Sequence, residues 1–207
     1  MKRKSKMKTS STSTPSWILE NSAQVDSSGD AADLSRRLGI PELFRSASLS
    51  HFHRENFRSG HWVLDPEARK GRRDVLVVGP NGVGKTHLAV ALAREWKARF
   101  VRVPDLLTRV RRTFKAHVEE SEHSILDELV QAPALALDDL TSTTLREFGL
   151  ALVLSLVNRR IEDCRSTIVT SHHKLAAIDA LDSALASRLG GFERIELMGP
   201  DRRLARK

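Results

Sequence analysis

Apolar positions along the chain cluster in short continuous runs, and helical periodicity fills the intervals between them. DVLVVG (Asp74 to Gly79) has four apolar residues in a row and stops at a glycine, the pattern of a buried strand in a parallel sheet. Helical spacing follows from Lys85 to about Ala98. RFVRV (Arg99 to Val103) is a second strand, and Pro104 and Asp105 open a helix running to about Ala116. Within it Leu106, Val110 and Phe114 recur at i, i+4 and i+8 as one buried stripe. A helix over about Ser124 to Val130 precedes ALALDDL (Ala134 to Leu140), a third strand with two acids at its end. A long helix, about Thr144 to Asp163, leads to STIVTS (Ser166 to Ser171), a fourth strand. One more helix takes in Ala177 to Leu189, and FERIEL (Phe192 to Leu197) is the last strand. Strands alternating with helices predict an α/β three-layer sandwich around a central parallel sheet of about five strands. Its ligand belongs at the carboxyl ends of those strands.

Before about residue 38 the pattern fades. Residues 1–37 are poor in large apolar side chains apart from Trp17 to Leu19, and they begin with a lysine- and arginine-rich, Ser/Thr-rich stretch that lacks the apolar core of a secretory signal. They read as a flexible tail with one sticky spot, leaving residues 38–207 as the folded domain. No apolar run approaches the roughly 20 residues of a membrane span, so no membrane partner is expected. A formal net charge of +8 favours a polyanionic partner, nucleic acid first. The single cysteine, Cys164, rules out an internal disulfide framework and points to a reducing, cytoplasmic compartment.

Between the first strand and its helix, GPNGVGKT fits the phosphate-binding pattern G-x-x-x-x-G-K-[ST] at every position. The expected nucleotide contacts are Gly79, Pro80, Asn81, Gly82, Val83, Gly84, Lys85, Thr86 and the following His87. Backbone N–H groups curl around phosphate oxygens, and the helix N-terminus adds its dipole. Lys85 reaches the β- and γ-phosphates of ATP, and Thr86 ligates Mg²⁺. Asp138 and Asp139 close the third strand. The first is expected to hold Mg²⁺ and the second to polarise the attacking water. Thr170, Ser171 and His172 end the fourth strand, which should lie between the two phosphate-handling strands, so a polar group there senses the γ-phosphate or places the water. Arg188, in ALASRLGG, is either a helix-end charge or a group that reaches a neighbouring subunit's nucleotide in trans. Arg109, Arg112 and Lys115 fall off the apolar stripe of their helix. They present a solvated basic face or a phosphate-contacting surface for single-stranded DNA, with no aromatic residue among them for base stacking.

Taken together, these motifs resemble those of the AAA+ ATPases in the DnaC-like helicase-loader and IstB-like transposition-helper group, over roughly Leu38 to the C-terminus. GIPELFRSASLSHF is similar to the segment that precedes the core in that group, and GPNGVGKTHLAVAL to its phosphate loop. ALALDDL is similar to its Walker B strand, VNRR and STIVTS to its Asn-Arg-Tyr and Thr-Ser-Asn stretches, and ASRL to its arginine-finger position. GPDRRL resembles its closing Gly-x-Ser-Tyr-Arg-Leu, which makes Arg203 the sensor arginine. The resemblance implies a P-loop AAA+ fold and a switch. ATP would join subunits through Arg188 and order a DNA-binding surface, and hydrolysis would release it. The client would be a replicative helicase for a loader, or a transposase for a transposition helper. Three features depart from the pattern: His172 stands where the sensor asparagine is expected, which points to slow hydrolysis. Arg160 replaces the tyrosine, and the N-terminal partner-binding domain is expected to be missing or reduced to the short tail.

A nucleotide kinase would share the phosphate loop, but the doubled acid and the SRL stretch fit it poorly. A GTPase needs an Asn-Lys-x-Asp guanine reader, which the chain lacks. An adaptor that binds ATP without hydrolysing it rests on His172 alone.

Overall fold

The computed structural model describes residues 29–71, 73–115, 119–141 and 147–204. The basic start of the chain and Trp17 to Leu19 lie outside the described residues, as does the expected start of the long helix near Thr144. Six strands form one sheet: β1 (Phe57–Ser59), β2 (Asp74–Val78), β3 (Arg99–Arg102), β4 (Ala134–Leu140), β5 (Ser166–Ser171) and β6 (Glu193–Leu197). Among the described residues the helices are α1 (Gly29–Arg37), α2 (Lys85–Glu95), α3 (Val103–Arg112), α4 (Glu122–Gln131), α5 (Glu147–Glu162), α6 (Leu175–Asp179) and α7 (Ser183–Gly190). None is long and apolar enough to cross a membrane.

The spatial order is β1-β6-β2-β5-β4-β3, and every neighbouring pair from β6 to β3 is parallel. As expected, β5 lies between β2 and β4, with Val78 opposite Ser171 and Leu137 opposite Val169. The pleat sends alternate side chains to two cores. Leu76 and Val78 pack with residues of α3, α4, α5 and α7 on one face. Val75 and Val77 pack with α2, with Phe52 of the segment before β1 and with Phe57 of β1 itself, on the other. This is the three-layer sandwich expected from the alternation of strands and helices.

The structure differs from the sequence expectation in four places. The sheet is mixed and has a sixth strand, because β1 pairs antiparallel with β6. A three-residue strand is too short to show alternation, and its pairing is non-local. The helix expected over Ala177 to Leu189 is two helices, since the Asp182 side chain accepts the Leu185 amide at 2.7 Å and starts α7 afresh. Residues 29–37, expected within the tail, are helical; Leu34 packs on the core and Ser35 is fully buried. Finally, Phe114 is 63% exposed instead of completing the buried stripe. The helix α3 ends at Arg112, so the next place on its apolar face is never built.

A charged side chain also lies in the core. Arg160 of α5 is fully buried. It donates to the carbonyls of Leu129 (2.6 Å), Val130 (3.1 Å) and Ala132 (2.8 Å), to that of Ser166 (2.6 Å), and to the Thr167 hydroxyl (3.1 Å). Three of these acceptors lie at the end of α4, where helix carbonyls lack intrahelical donors and the dipole is negative. The guanidinium thus caps α4 and ties it to α5 and β5.

Candidate nucleotide site

The loop from Gly79 to Gly84 joins β2 to α2, with Gly84 in a left-handed conformation (φ 108°) at the helix N-cap. That turn aims the first amides of α2 back across the loop, the arrangement that binds phosphate. Lys85 donates to the carbonyls of Gly79 (2.9 Å) and Pro80 (2.7 Å), so its ammonium lies folded over the loop. Burial lowers its pKa; Asp138 and Asp139 pull it back up, and Arg203 pushes it further down.

At the end of β4 the two acids have different surroundings. Asp138 is 2% exposed. It accepts the Thr86 hydroxyl at 3.0 and 3.1 Å through its two oxygens, and the Thr170 hydroxyl at 2.7 Å. Burial raises its pKa, opposed by these two hydrogen bonds. Thr170 in turn accepts the Asp139 amide at 3.0 Å, so one hydroxyl of β5 holds both acids. The pairing with β5 shifts between Leu137 and Leu140, and Asp139 takes a left-handed backbone (φ 66°), which aspartate tolerates better than most residues. The irregularity turns the Asp139 side chain out of the strand's alternation. Its carboxylate is 43% exposed and stands 3.9 Å from Arg102 at the end of β3.

Thr86 and Asp138 offer a hydroxyl and a carboxylate at one point beside the loop, a donor set suited to a hard, oxygen-seeking cation such as Mg²⁺. His172 is exposed, and its ring centroid is 3.9 Å from that of His173. Desolvation, then His173 and Lys85, lower its pKa while Asp139 raises it, which favours a neutral imidazole at pH 7. His87 has neighbours from the segment before β1: one ring nitrogen is 2.9 Å from His51, and the ring centroid stands 5.6 Å from that of Phe52.

Beyond β6 the chain returns to the loop. Arg203 exerts its charge on Lys85, and Arg202 lies over the Phe52 ring at 5.1 Å. The sequence reading preferred Arg203; the structure brings both arginines to the loop. Arg188 is exposed on α7 and donates to Asn158 of α5 at 2.7 Å, so its described side-chain partner is not a group of the phosphate loop. The basic helix α3 is less uniform than expected. Arg109 is held by Glu120 and by Glu128 (2.6 Å), which raise its already high pKa and neutralise it within the fold. Arg111, Arg112 and Lys115 are exposed. Phe114 stands among them, edge-on to Phe148 at 5.5 Å. Periodicity had counted Phe114 as core and left Arg111 out of the basic face. Arg102, Phe52, His51 and Asp201 carried no local signal, because their neighbours at the site come from distant parts of the chain.

Comparison with known proteins adds to this geometry. The family model described as IstB-like ATP binding protein matches residues 65–189, more than half of the chain. The replicative helicase loader DnaC of Buchnera aphidicola subsp. Baizongia pistaciae is 25% identical over 148 residues, covering 66% of this chain and 59% of the relative. The insertion sequence IS21 ATP-binding protein of Pseudomonas aeruginosa is 36% identical over 107 residues, covering 50% of this chain and 39% of the relative. The chain therefore spans about half the length of the curated relatives it matches. Among solved structures, the DnaC helicase loader superposes with a TM-score of 0.57 at 21% identity over 76% of this chain and 100% of that one. AMPPCP-bound DnaA from Aquifex aeolicus superposes with a TM-score of 0.64 at 19% identity over 78% of this chain and 54% of that one. These likenesses establish a P-loop AAA+ fold. With its phosphate loop and family match, the chain belongs to the IstB-like ATP-binding proteins.

Proposed function

We propose that this domain is an ATPase switch that binds ATP with Mg²⁺, hydrolyses it, and loads or regulates a partner on DNA. The observation that carries the reading is the meeting of Thr86 with Asp138 beside the loop, with Thr170 joining Asp138 to Asp139. In this reading the loop amides and Lys85 bind the phosphates, and Thr86 and Asp138 hold Mg²⁺. When bound, the ion would offset the negative charge that builds on the phosphates. Asp139 orients the water and takes its proton, and His172 donates a hydrogen bond at the γ-phosphate. The site is in the cytoplasm.

The client in this reading is a replicative helicase. The DnaC relative, matched over 66% of this chain, supports it. A transposase is the second reading, favoured by the family model and by the 36% identity to the IS21 protein. Co-purification of the full chain with each candidate client separates the two. ATPase rates with and without single-stranded DNA test the core proposal: ATP binding without hydrolysis under both conditions leaves an adaptor, and phosphate passed to a small acceptor leaves a kinase.

Arg188 is proposed to act in trans, since it is exposed and its side chain is steered by Asn158. Arg188→Ala should bind ATP but lose turnover, and mixing it with Lys85→Ala should restore part of the activity, each subunit contributing one intact half-site. Specific activity independent of protein concentration, with no rescue at any mixing ratio, would reduce Arg188 to a helix-end charge.

For DNA, we propose the surface formed by Arg111, Arg112, Phe114 and Lys115. The three cations meet phosphates and the exposed ring offers a face to a base. The partnered Arg109 supports the surface without contributing free charge. Replacing Arg111, Arg112 and Lys115 by alanine should flatten the plot of log affinity against log salt by roughly 2, at about 0.7 per phosphate lost on a single strand. The measurement is made in the full chain and in one lacking residues 1–28, because the basic start would bind DNA non-specifically by the same physics. An unchanged slope in the shortened chain removes this surface from the model.

A further inference from the structure

The phosphate-loop pattern demands glycine at Gly79 and Gly84 and leaves the four positions between them free, yet one of the four is Gly82. The fold explains the choice. Gly82 has a left-handed backbone (φ 74°), and a Cβ built on it would lie 1.8 Å from Oδ1 and 2.0 Å from Cγ of Asp201. The space of a side chain at the loop tip is thus filled by a carboxylate from the segment after β6. That segment is fastened to the loop by one backbone hydrogen bond and shaped internally by another. The Arg202 amide donates to the Gly82 carbonyl at 3.1 Å, and the Arg203 amide donates to Asp201 Oδ1 at 2.9 Å. The second is an Asx-type turn in which the aspartate shapes the backbone that follows it.

We propose that Asp201 is a positioning residue of the nucleotide site: it locks the segment after β6 across the tip of the phosphate loop and so sets Arg202 and Arg203 beside the ATP phosphates. The inference rests on the ATP-binding reading of the loop. The Asp201 carboxylate accepts the Arg203 amide, and that hydrogen bond orients the segment carrying both arginines, while Arg203 places its charge near Lys85. Arg202 lies over the Phe52 ring, and a Cβ built on Gly84 would meet that same ring at 3.4 Å, so Arg202 is held at the end of the loop. The segment lies beyond the residues matched by the family model, which end at 189. In the closing motif that GPDRRL resembles, the place of Asp201 is a serine, so the charge is this chain's own.

The test is equilibrium binding of a fluorescent methylanthraniloyl-ATP with Mg²⁺ to the full chain and four variants, alongside their melting temperatures without nucleotide. Asp201→Ala should weaken binding about tenfold, as expected for losing a hydrogen bond to a charged group. Its melting temperature should stay close to the parent's. Asp201→Asn should recover most of the affinity, because the amide oxygen still accepts the Arg203 N–H. Gly82→Ala should weaken binding strongly, and adding Asp201→Ala to it should cost nothing further, since either change already frees the segment. Parent-like affinity in Asp201→Ala overturns the inference, as does an Asp201→Asn no better than alanine or a double variant whose losses multiply. A parent chain that fails to bind the probe overturns the ATP-binding reading instead, so the two failures are told apart.

Discussion

Lys85→Ala should reduce affinity for ATP with Mg²⁺ by at least about a hundredfold. Lys85 is the one side-chain cation between Gly79 and Thr86, and its ammonium rests on the carbonyls of Gly79 and Pro80 within reach of the cradle. Each charge-assisted hydrogen bond to a phosphate oxygen is worth roughly 1.5–3 kcal/mol. Losing two corresponds to about two to four powers of ten in the dissociation constant. The lowered pKa of Lys85 reflects the same burial: a cation held partly out of water gains more from phosphate than an exposed one would. Asp139→Asn should behave oppositely. It leaves the amide that Thr170 holds in place and keeps the side chain's shape, so binding persists while turnover drops roughly 10²–10⁴-fold, the range of general-base catalysis. Isothermal titration and a phosphate-release assay separate the two effects. Parent-like hydrolysis by both variants would dismiss the site.

The second large effect concerns stability. Arg160→Met fills most of the volume yet removes every donor from a fully buried position. The carbonyls of Leu129, Val130, Ala132 and Ser166 and the Thr167 hydroxyl lose the guanidinium together. Buried groups left without partners cost about 1–3 kcal/mol each, with partial relaxation, so a total loss of at least about 3 kcal/mol is expected. For a chain of this size that lowers the melting temperature by about 6–12 °C. Arg160→Lys should recover little, because one ammonium cannot reach the acceptors that the planar fork spans. Urea unfolding without nucleotide reads the difference directly. A loss under about 1 kcal/mol would mean that water replaces the guanidinium and that the cap at the end of α4 is dispensable.

The phosphate loop, β4 and β5 were legible because their signals are local. A glycine pattern is chemistry written in consecutive residues, and an unbroken apolar run such as ALAL or TIV has no stable place but a strand buried on both faces. The position of β5 between β2 and β4 was part of the sequence reading, and the pairing of Val78 with Ser171 agrees with it.

What the chain alone determined, then, is the alternation of the five parallel strands with helices, the phosphate cradle, and the two acids beside it. Tertiary structure decided which residues meet. It placed Thr170 between Asp138 and Asp139, and it closed Gly82 with Asp201. It also turned Arg160 inward and paired Arg109 with Glu120 and Glu128 while leaving Phe114 in solvent. Periodicity reports whether a position faces a core, and it reports this only while the helix continues. The partner of a charge, or the side chain that fills the space over a glycine, comes from another element of the chain, and that proximity exists only once the fold has assembled.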